Sequence, residues 1–301
     1  MQLGGCVGLG AGRVFRLDAT ALKIAILCGM SGGFAAVFGT PLTATVFALE
    51  IACVGVVYYP ALLPALIAAL VGSAIPASLG LTPFYYELPD FPETSVALVG
   101  KTLLFGALCG AVCVFFCAAV RRTTRSFYAR FPNDYFRVEF GALCVIVGTL
   151  LLGTNDYNGT GIGLVEEALA GRAAPVAFFW KTIFTALTLG AGFKGGEIVP
   201  VFAVGASFGC VVGPLLGIDP TFGAALGMIG VFCGATNCPL TSIVLSVELF
   251  GAQNAVLFAI VCGVGFATSG RVGLYASQRM LHSKTAFEKD DVRATTKTRS
   301  G

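Results

Sequence analysis

From its amino end the chain is a succession of apolar runs cut by glycine, proline and short polar clusters. Met1–Phe15 predicts a helix with Gly4, Gly8 and Gly12 four residues apart, on one face. Ala21–Phe38 and Pro41–Val57 follow as two segments split at Gly39-Thr40. Pro60–Leu79 is apolar and long enough to cross about 30 Å of hydrocarbon. Leu81–Thr94 is a polar, aromatic and proline-rich connection. Ser95–Val120 predicts a long helix ending in Arg121, Arg122, Arg125 and Arg130. After Val138–Leu152 comes a glycine-rich loop, Gly153–Gly163, then a short Leu164–Ala170 and a longer Val176–Leu189. Beyond the stretch Gly190–Gly213 lie Phe222–Cys233, Pro239–Phe250, Ala255–Phe266 and Val272–Leu281. The tail His282–Gly301 is polar and basic, and is expected to be disordered and cytoplasmic.

This pattern predicts an all-α membrane bundle of short, broken helices. Irregular backbone at membrane depth is tolerated where it lines a cavity, a habit of transporters and channels. Composition sharpens the reading. Of 301 residues 56% are hydrophobic and 12% charged, and mean hydropathy is +0.86, whereas a soluble domain is about one quarter charged. The arginine cluster at 121–130 marks the cytoplasmic side by the positive-inside rule. A net charge of +3, carried in short clusters at helix ends, gives no reason to expect a nucleic-acid partner. Eleven cysteines are scattered singly, with Cys109, Cys113 and Cys117 on one helical face; one histidine and no paired-cysteine motif point to helix packing rather than metal. No cofactor is expected. No signal peptide precedes the first apolar run.

An internal repeat organises the chain. GMSGGFAAVFGTPLTATVFALE (Gly29–Glu50) and GMIGVFCGATNCPLTSIVLSVE (Gly227–Glu248) share nine of 22 positions without gaps. Each copy is a helix, a break, then a proline-initiated helix ending in glutamate. Sliding backward, the Gly4/Gly8/Gly12 helix matches one carrying Gly205, Gly209 and Gly213. The organisation this implies is a remainder of a first repeat over 1–80, a connection over 81–94, a second repeat over 95–281 and a tail over 282–301, the repeats being inverted. The loop before the second glycine helix has no counterpart ahead of Met1, so the chain reads as truncated at its amino end.

That loop is the candidate site. In GAGFKGGEIVP, Lys194 and Glu197 interrupt an apolar region, and Pro200 opens a helix. Proline suits a first turn, whose amides lack intrahelical partners. Those amides and the helix dipole form a pole of roughly half a positive charge. At membrane depth such a pole fits a small anion, held without a full charge that would prevent its release. Gly196, Glu197, Ile198, Val199 and Pro200 are the anion-binding candidates. Glu197 is also the proton-coupling candidate, because an anion arriving beside it favours the neutral carboxyl.

The order of these pieces resembles the CLC family of chloride channels and anion/proton antiporters. MQLGG at Met1–Gly5 looks like the segment after the family's first anion loop, and GGEIVP at Gly195–Pro200 sits where the family writes GGxFxP. TPLTATVFALE and CPLTSIVLSVELFG look like its paired dimer-interface helices, and GLY at Gly273–Tyr275 matches its pore-lining tyrosine. FKGGE, GTNDYNGTGIG and VELFG look like the fluoride-exporting bacterial branch, where threonine commonly stands at the place of Val199. Position 51 is isoleucine where proton-coupled chloride exchangers carry an internal glutamate. The resemblance implies transport of chloride or fluoride, with or without protons, by a homodimer in a bacterial plasma membrane with its C-terminus cytoplasmic. It adds Tyr275 to the anion-binding candidates. The implied dimer surface lies within Pro41–Leu79 and Pro239–Phe266.

Blander readings stand beside these. Glu197 also reads as a helix cap paired with Lys194, and Tyr275 as an interfacial belt tyrosine. Glu50 and Glu248 read as acceptors for neighbouring amides, and Asn158-Gly159-Thr160 as turn chemistry rather than a glycosylation site. An intramembrane enzyme has no support: HExxH and a histidine at membrane depth are both missing. An inactive remnant of a transporter is the remaining alternative.

Overall fold

A computed structural model of the chain describes residues 1–81, 86, 95–275, 278–280 and 284. They divide into two compact units, residues 1–86 with 240–251 and 275–301, and residues 87–239 with 252–274. Among the described residues five helical stretches are long and apolar enough to cross a membrane: Ala19–Phe38, Tyr59–Ser78, Val96–Arg130, Asp134–Leu152 and Ile198–Leu216.

In the first unit, α1 (Gln2–Val14) packs on α2 (Ala19–Phe38), and α2 packs on α3 (Pro41–Glu50) and α4 (Leu62–Ser78). The α1–α2 crossing is set by glycine: a methyl on Gly4 would run into the carbonyl oxygen of Gly29, and one on Gly8 into that of Ala25. Asp18 closes the start of α2 by accepting from the amide of Ala21.

The second unit repeats the device. Here α5 (Val96–Arg130), α6 (Asp134–Leu152), α7 (Ile162–Leu169), α8 (Ala177–Gly190), α9 (Ile198–Val212), α10 (Pro220–Thr236) and α12 (Ala255–Thr268) pack together. α9 lies on α10 with Gly205 against the carbonyl of Gly227 and Gly209 against that of Gly223. Gly227 is the repeat counterpart of Gly29, so the two halves use one packing solution. Cys109, Cys113 and Cys117 are buried. Gly230 sits close against Cys109, and Gly234 against Cys113. Small side chains at helix crossings are what they supply.

The repeat's second helices are α3 and α11 (Pro239–Phe250). The residue that breaks the chain before each, Gly39 in one and Asn237 in the other, has a positive φ (68° and 59°). Glycine and asparagine are the residues that adopt this conformation most readily. Each helix then opens on proline and ends on glutamate, and the glutamates are exchanged. Glu50 accepts from the amides of Leu240 (3.2 Å) and Thr241 (2.8 Å) and from the Thr241 hydroxyl (2.6 Å). Glu248 accepts from the amides of Leu42 (2.9 Å) and Thr43 (2.7 Å). Within this unit the two helices therefore run antiparallel, each carboxylate closing the other's start. Reading these glutamates as amide acceptors was right in kind, but the amides belong to the opposite repeat. A carboxylate at a helix N-terminus gains from the dipole as well as from charge-assisted hydrogen bonds.

Four elements differ from the sequence-based expectation. α3 stops at Glu50, not Val57, because the carbonyl of Ile51 accepts from Gln278 (3.1 Å) and Cys53–Val54 (β1) pairs in parallel with Arg279–Met280 (β2). α5 runs on through its arginines to Arg130, since nothing breaks a helix before Phe131-Pro132. The segment expected to be helical over 272–281 is non-helical wherever it is described, following Gly270 at φ 56°. Finally, α9 begins at Ile198, which puts Pro200 at its third position rather than its first. The expected connection over 81–94 and tail over 282–301 lie almost wholly outside the described residues.

The exchange of glutamates sets an order of sensitivity. Glu50 is 6% exposed and has three donors, whereas Glu248 is half-buried and has two. Each buried donor left unsatisfied costs about 1–3 kcal/mol. Glu50→Ala is expected to lower thermal stability in detergent more than Glu248→Ala, with Glu50→Gln between wild type and Glu50→Ala. Equal melting temperatures for all three variants and wild type would contradict the exchange.

Candidate functional site

α8 ends at Gly190, and the chain turns through Ala191 and Gly192, the latter at φ 102°. Phe193–Gly196 forms an exposed loop, and Glu197 takes the position that caps α9 without its side chain bonding any α9 amide. The first bond of the helix joins the amide of Val201 to the carbonyl of Glu197 (3.2 Å). Among the described residues no acceptor receives the amides of Glu197, Ile198 or Val199. Pro200 has no amide to lose. From Pro200 to Cys210 the helix is buried, so its positive end is set in protein rather than free to move.

Glu197 is half-buried, and its Oε2 is buried without a hydrogen-bond partner among the described residues. The expected pairing with Lys194 is not formed: Lys194 is exposed, and the one ion pair among the described residues joins Arg137 to Asp134. A loop of two glycines and an exposed lysine leaves Lys194 free to stay in water, where its ammonium is best solvated. The site thus combines three open amides with a partly buried carboxyl oxygen.

Behind the loop lies a cavity of about 450 Å³, bordered by Gly195, Gly196 and Pro200 on one side and by Asn158, Thr160 and Lys181 on another. Lys181 is 1% exposed. Its ammonium donates to the carbonyls of Tyr157 (3.1 Å), Asn158 (3.5 Å) and Gly159 (2.8 Å). An ammonium has three protons, and three carbonyl dipoles take them, which offsets the cost of burying the charge. Asn158-Gly159-Thr160 is thereby part of a turn, as its composition suggested.

Tyr275 belongs to the first unit. Its carbonyl accepts from the amide of Gln278 (3.1 Å), the residue whose side chain also reaches Ile51. Just upstream, in the second unit, the amide of Leu274 donates to the carbonyl of Ala235 (2.8 Å) and Arg121 donates to the carbonyl of Gly273 (2.6 Å). Arg121 was expected to be a topology signal and little else; here it also anchors backbone.

Lys181 and Arg137 escaped the sequence reading. The available signal was an isolated charge in an apolar helix, as in AFFWKTIFTALTLG, which in a membrane demands a partner or a role. The partners of Lys181 are backbone carbonyls, which no side-chain motif reveals, and Arg137 adds to its carbonyls an ion pair with Asp134, three residues earlier.

These features define a helical membrane protein with two structural repeats and an open helix start preceded by an exposed loop. The chain belongs to the CLC family: it matches the family described as Voltage gated chloride channel over residues 1–270. A chloride/fluoride channel protein of Pseudomonas syringae pv. tomato is 33% identical over 290 residues, covering 94% of this chain and 64% of that protein. An H(+)/Cl(-) exchange transporter ClcA of Vibrio campbellii is 28% identical over 280 residues, covering 88% and 60%. The chain therefore spans just under two thirds of the length of these relatives. A crystal structure of a CLC-type fluoride/proton antiporter superposes with a TM-score of 0.89 at 36% identity, over 93% of this chain and 71% of that one. A slow cyanobacterial Cl-/H+ antiporter, at 19% identity and a TM-score of 0.75, shares the fold.

Removing the buried ammonium tests the loop it organises. Lys181→Met leaves three carbonyls without their donor and is expected to cost about 2–4 kcal/mol of stability. Hydrogen exchange should rise across residues 157–161 ahead of the rest of the second unit. Unchanged exchange there would show that the loop is held by something else.

Proposed function

We propose that this chain carries small halide anions, chloride or fluoride, across a membrane, and that the start of α9 is where the anion is held. The observation that carries the reading is the set of amides at Glu197, Ile198 and Val199, which no acceptor among the described residues occupies. Relatives named as a chloride/fluoride channel and as proton/chloride exchangers support it, as does similarity to a CLC-type fluoride/proton antiporter. The relatives are transporters rather than enzymes.

Three backbone dipoles attract a halide without the fixed charge that would trap it. Glu197 adds a switchable element. With its carboxyl ionised it repels an anion at the helix start; with a proton bound it becomes a donor and tolerates one. Anion arrival and proton uptake are then linked, which is the logic of exchange. The Val199 side chain adds an apolar wall where a hydroxyl would supply a further donor. Tyr275 is proposed as a second pathway residue on the strength of the family's motif order alone. The same reading takes the protein as a homodimer in a bacterial plasma membrane, with Arg121–Arg130 and the C-terminus on the cytoplasmic side.

In liposomes the chain is expected to release fluoride or chloride above the rate of empty vesicles, with protons moving in the opposite direction. Glu197→Gln should uncouple protons while leaving the fold and some anion flux. Val199→Thr should raise the preference for fluoride over chloride by about threefold to thirtyfold, the worth of one added hydrogen bond of roughly 0.5–2 kcal/mol. Flux from the unmutated chain no greater than from empty vesicles would overturn the transport reading and favour an inactive remnant.

A further inference from the structure

We propose that Arg137 is the positioning residue of the anion loop: its guanidinium fixes the turn at Ala191–Gly192 from which Phe193–Gly196 and the start of α9 are launched. Arg137 sits in the first turn of α6 and is 4% exposed. Its Nε donates to the carbonyl of Ala191 (3.2 Å), and its Nη1 to that of Phe131 (3.4 Å). Its Nη2 pairs with Asp134 (2.7 Å), and the guanidinium stacks 3.7 Å above the ring of Tyr128. Three of these four contacts lie within nine residues of Arg137 on α5, α6 and the turn between them, and they hold the fork still. The fourth reaches 54 residues along the chain to the last residue before Gly192.

Two further observations place that contact at the turn. Gly192 passes directly against the fork: a methyl group there would stand 3.4 Å from Nη2, and its φ of 102° is one that side-chain-bearing residues rarely adopt. One turn along α6, Gly141 has no side chain to keep it from Ala191, and a methyl there would collide with the Ala191 side chain. Arg137 and Gly141 thus both address Ala191 from the same helix. The carbonyl of Ala191 belongs to the end of α8, where carbonyls lack intrahelical donors and the dipole is negative, so a cation is doubly suited to it. Five residues separate Ala191 from Glu197. A shift at the turn has little chain in which to be absorbed before it reaches the open amides.

A merely buried, satisfied arginine would stabilise the unit without bearing on the site, and the two roles separate in experiment. Arg137→Gln and Arg137→Lys would be compared with the unmutated chain in lipid nanodiscs by amide hydrogen exchange, and in liposomes by anion efflux. Positioning is expected to raise exchange across residues 192–199 in Arg137→Gln by about tenfold, less in Arg137→Lys, which keeps a donor for Ala191, and to leave 220–236 unchanged. The efflux half rests on the transport reading above. It is expected to show a half-saturating anion concentration raised about tenfold with the maximal rate altered less than about twofold. Exchange at 192–199 equal to wild type would overturn the proposal. So would loosening spread evenly over residues 95–274 with half-saturation unchanged, the signature of a purely structural arginine. If the unmutated chain moves no anion, the transport reading fails and exchange at 192–199 alone decides the positioning role.

Discussion

A helix that starts inside an apolar medium leaves amides that water cannot reach, and something must occupy them. This constraint accounts for most of what is distinctive in the chain. α3, α10 and α11 each open on proline, and each is closed by a carboxylate: Glu248, Asp219 and Glu50. α9 has proline in its first turn too, yet among the described residues no carboxylate covers its amides and Oε2 of Glu197 beside them has no partner. Permanent occupants hold three starts for structure. The fourth is the start proposed to hold an anion.

The exchanged glutamates also explain why the repeat is visible. Proline, leucine, threonine and glutamate recur together because they form one device: proline sets the helix start, the residues after it offer amides, and the glutamate reaches the opposite copy. Gly29 and Gly227 recur because each lets a glycine helix lie on the next at backbone distance. Such features leave marks in sequence because they need specific residue types at fixed spacing. The helices, their breaks and the small-residue crossings were legible for that reason. The end of α3, the length of α5 and the non-helical course after Gly270 were not, because they are decided by pairing with Gln278 and residues 279–280 or by helix-compatible arginines continuing a turn.

Much the same division runs through the candidate site. Gly196–Pro200 stood out as a charged residue in an apolar, glycine-rich stretch before a proline, and it does form a helix start with open amides. The buried cations around it were hidden. Lys181 and Arg137 act on backbone carbonyls of Tyr157, Asn158, Gly159 and Ala191, and carbonyls carry no sequence signature. Side-chain pairing was the wrong place to look: Lys194 was the obvious partner for Glu197 and is exposed instead, with no ion pair to it among the described residues. In an apolar medium a cation is often matched by several dipoles rather than one acid.

The central claim is that the open start of α9 holds an anion. Anomalous diffraction from crystals of this chain grown in bromide locates the ion without reference to flux. The account requires a bromide peak within hydrogen-bonding distance of the Ile198 and Val199 amides, lost or weakened on substituting the bromide by a larger, non-hydrogen-bonding anion. Bromide bound elsewhere on the chain, with no peak at that helix start, would contradict it.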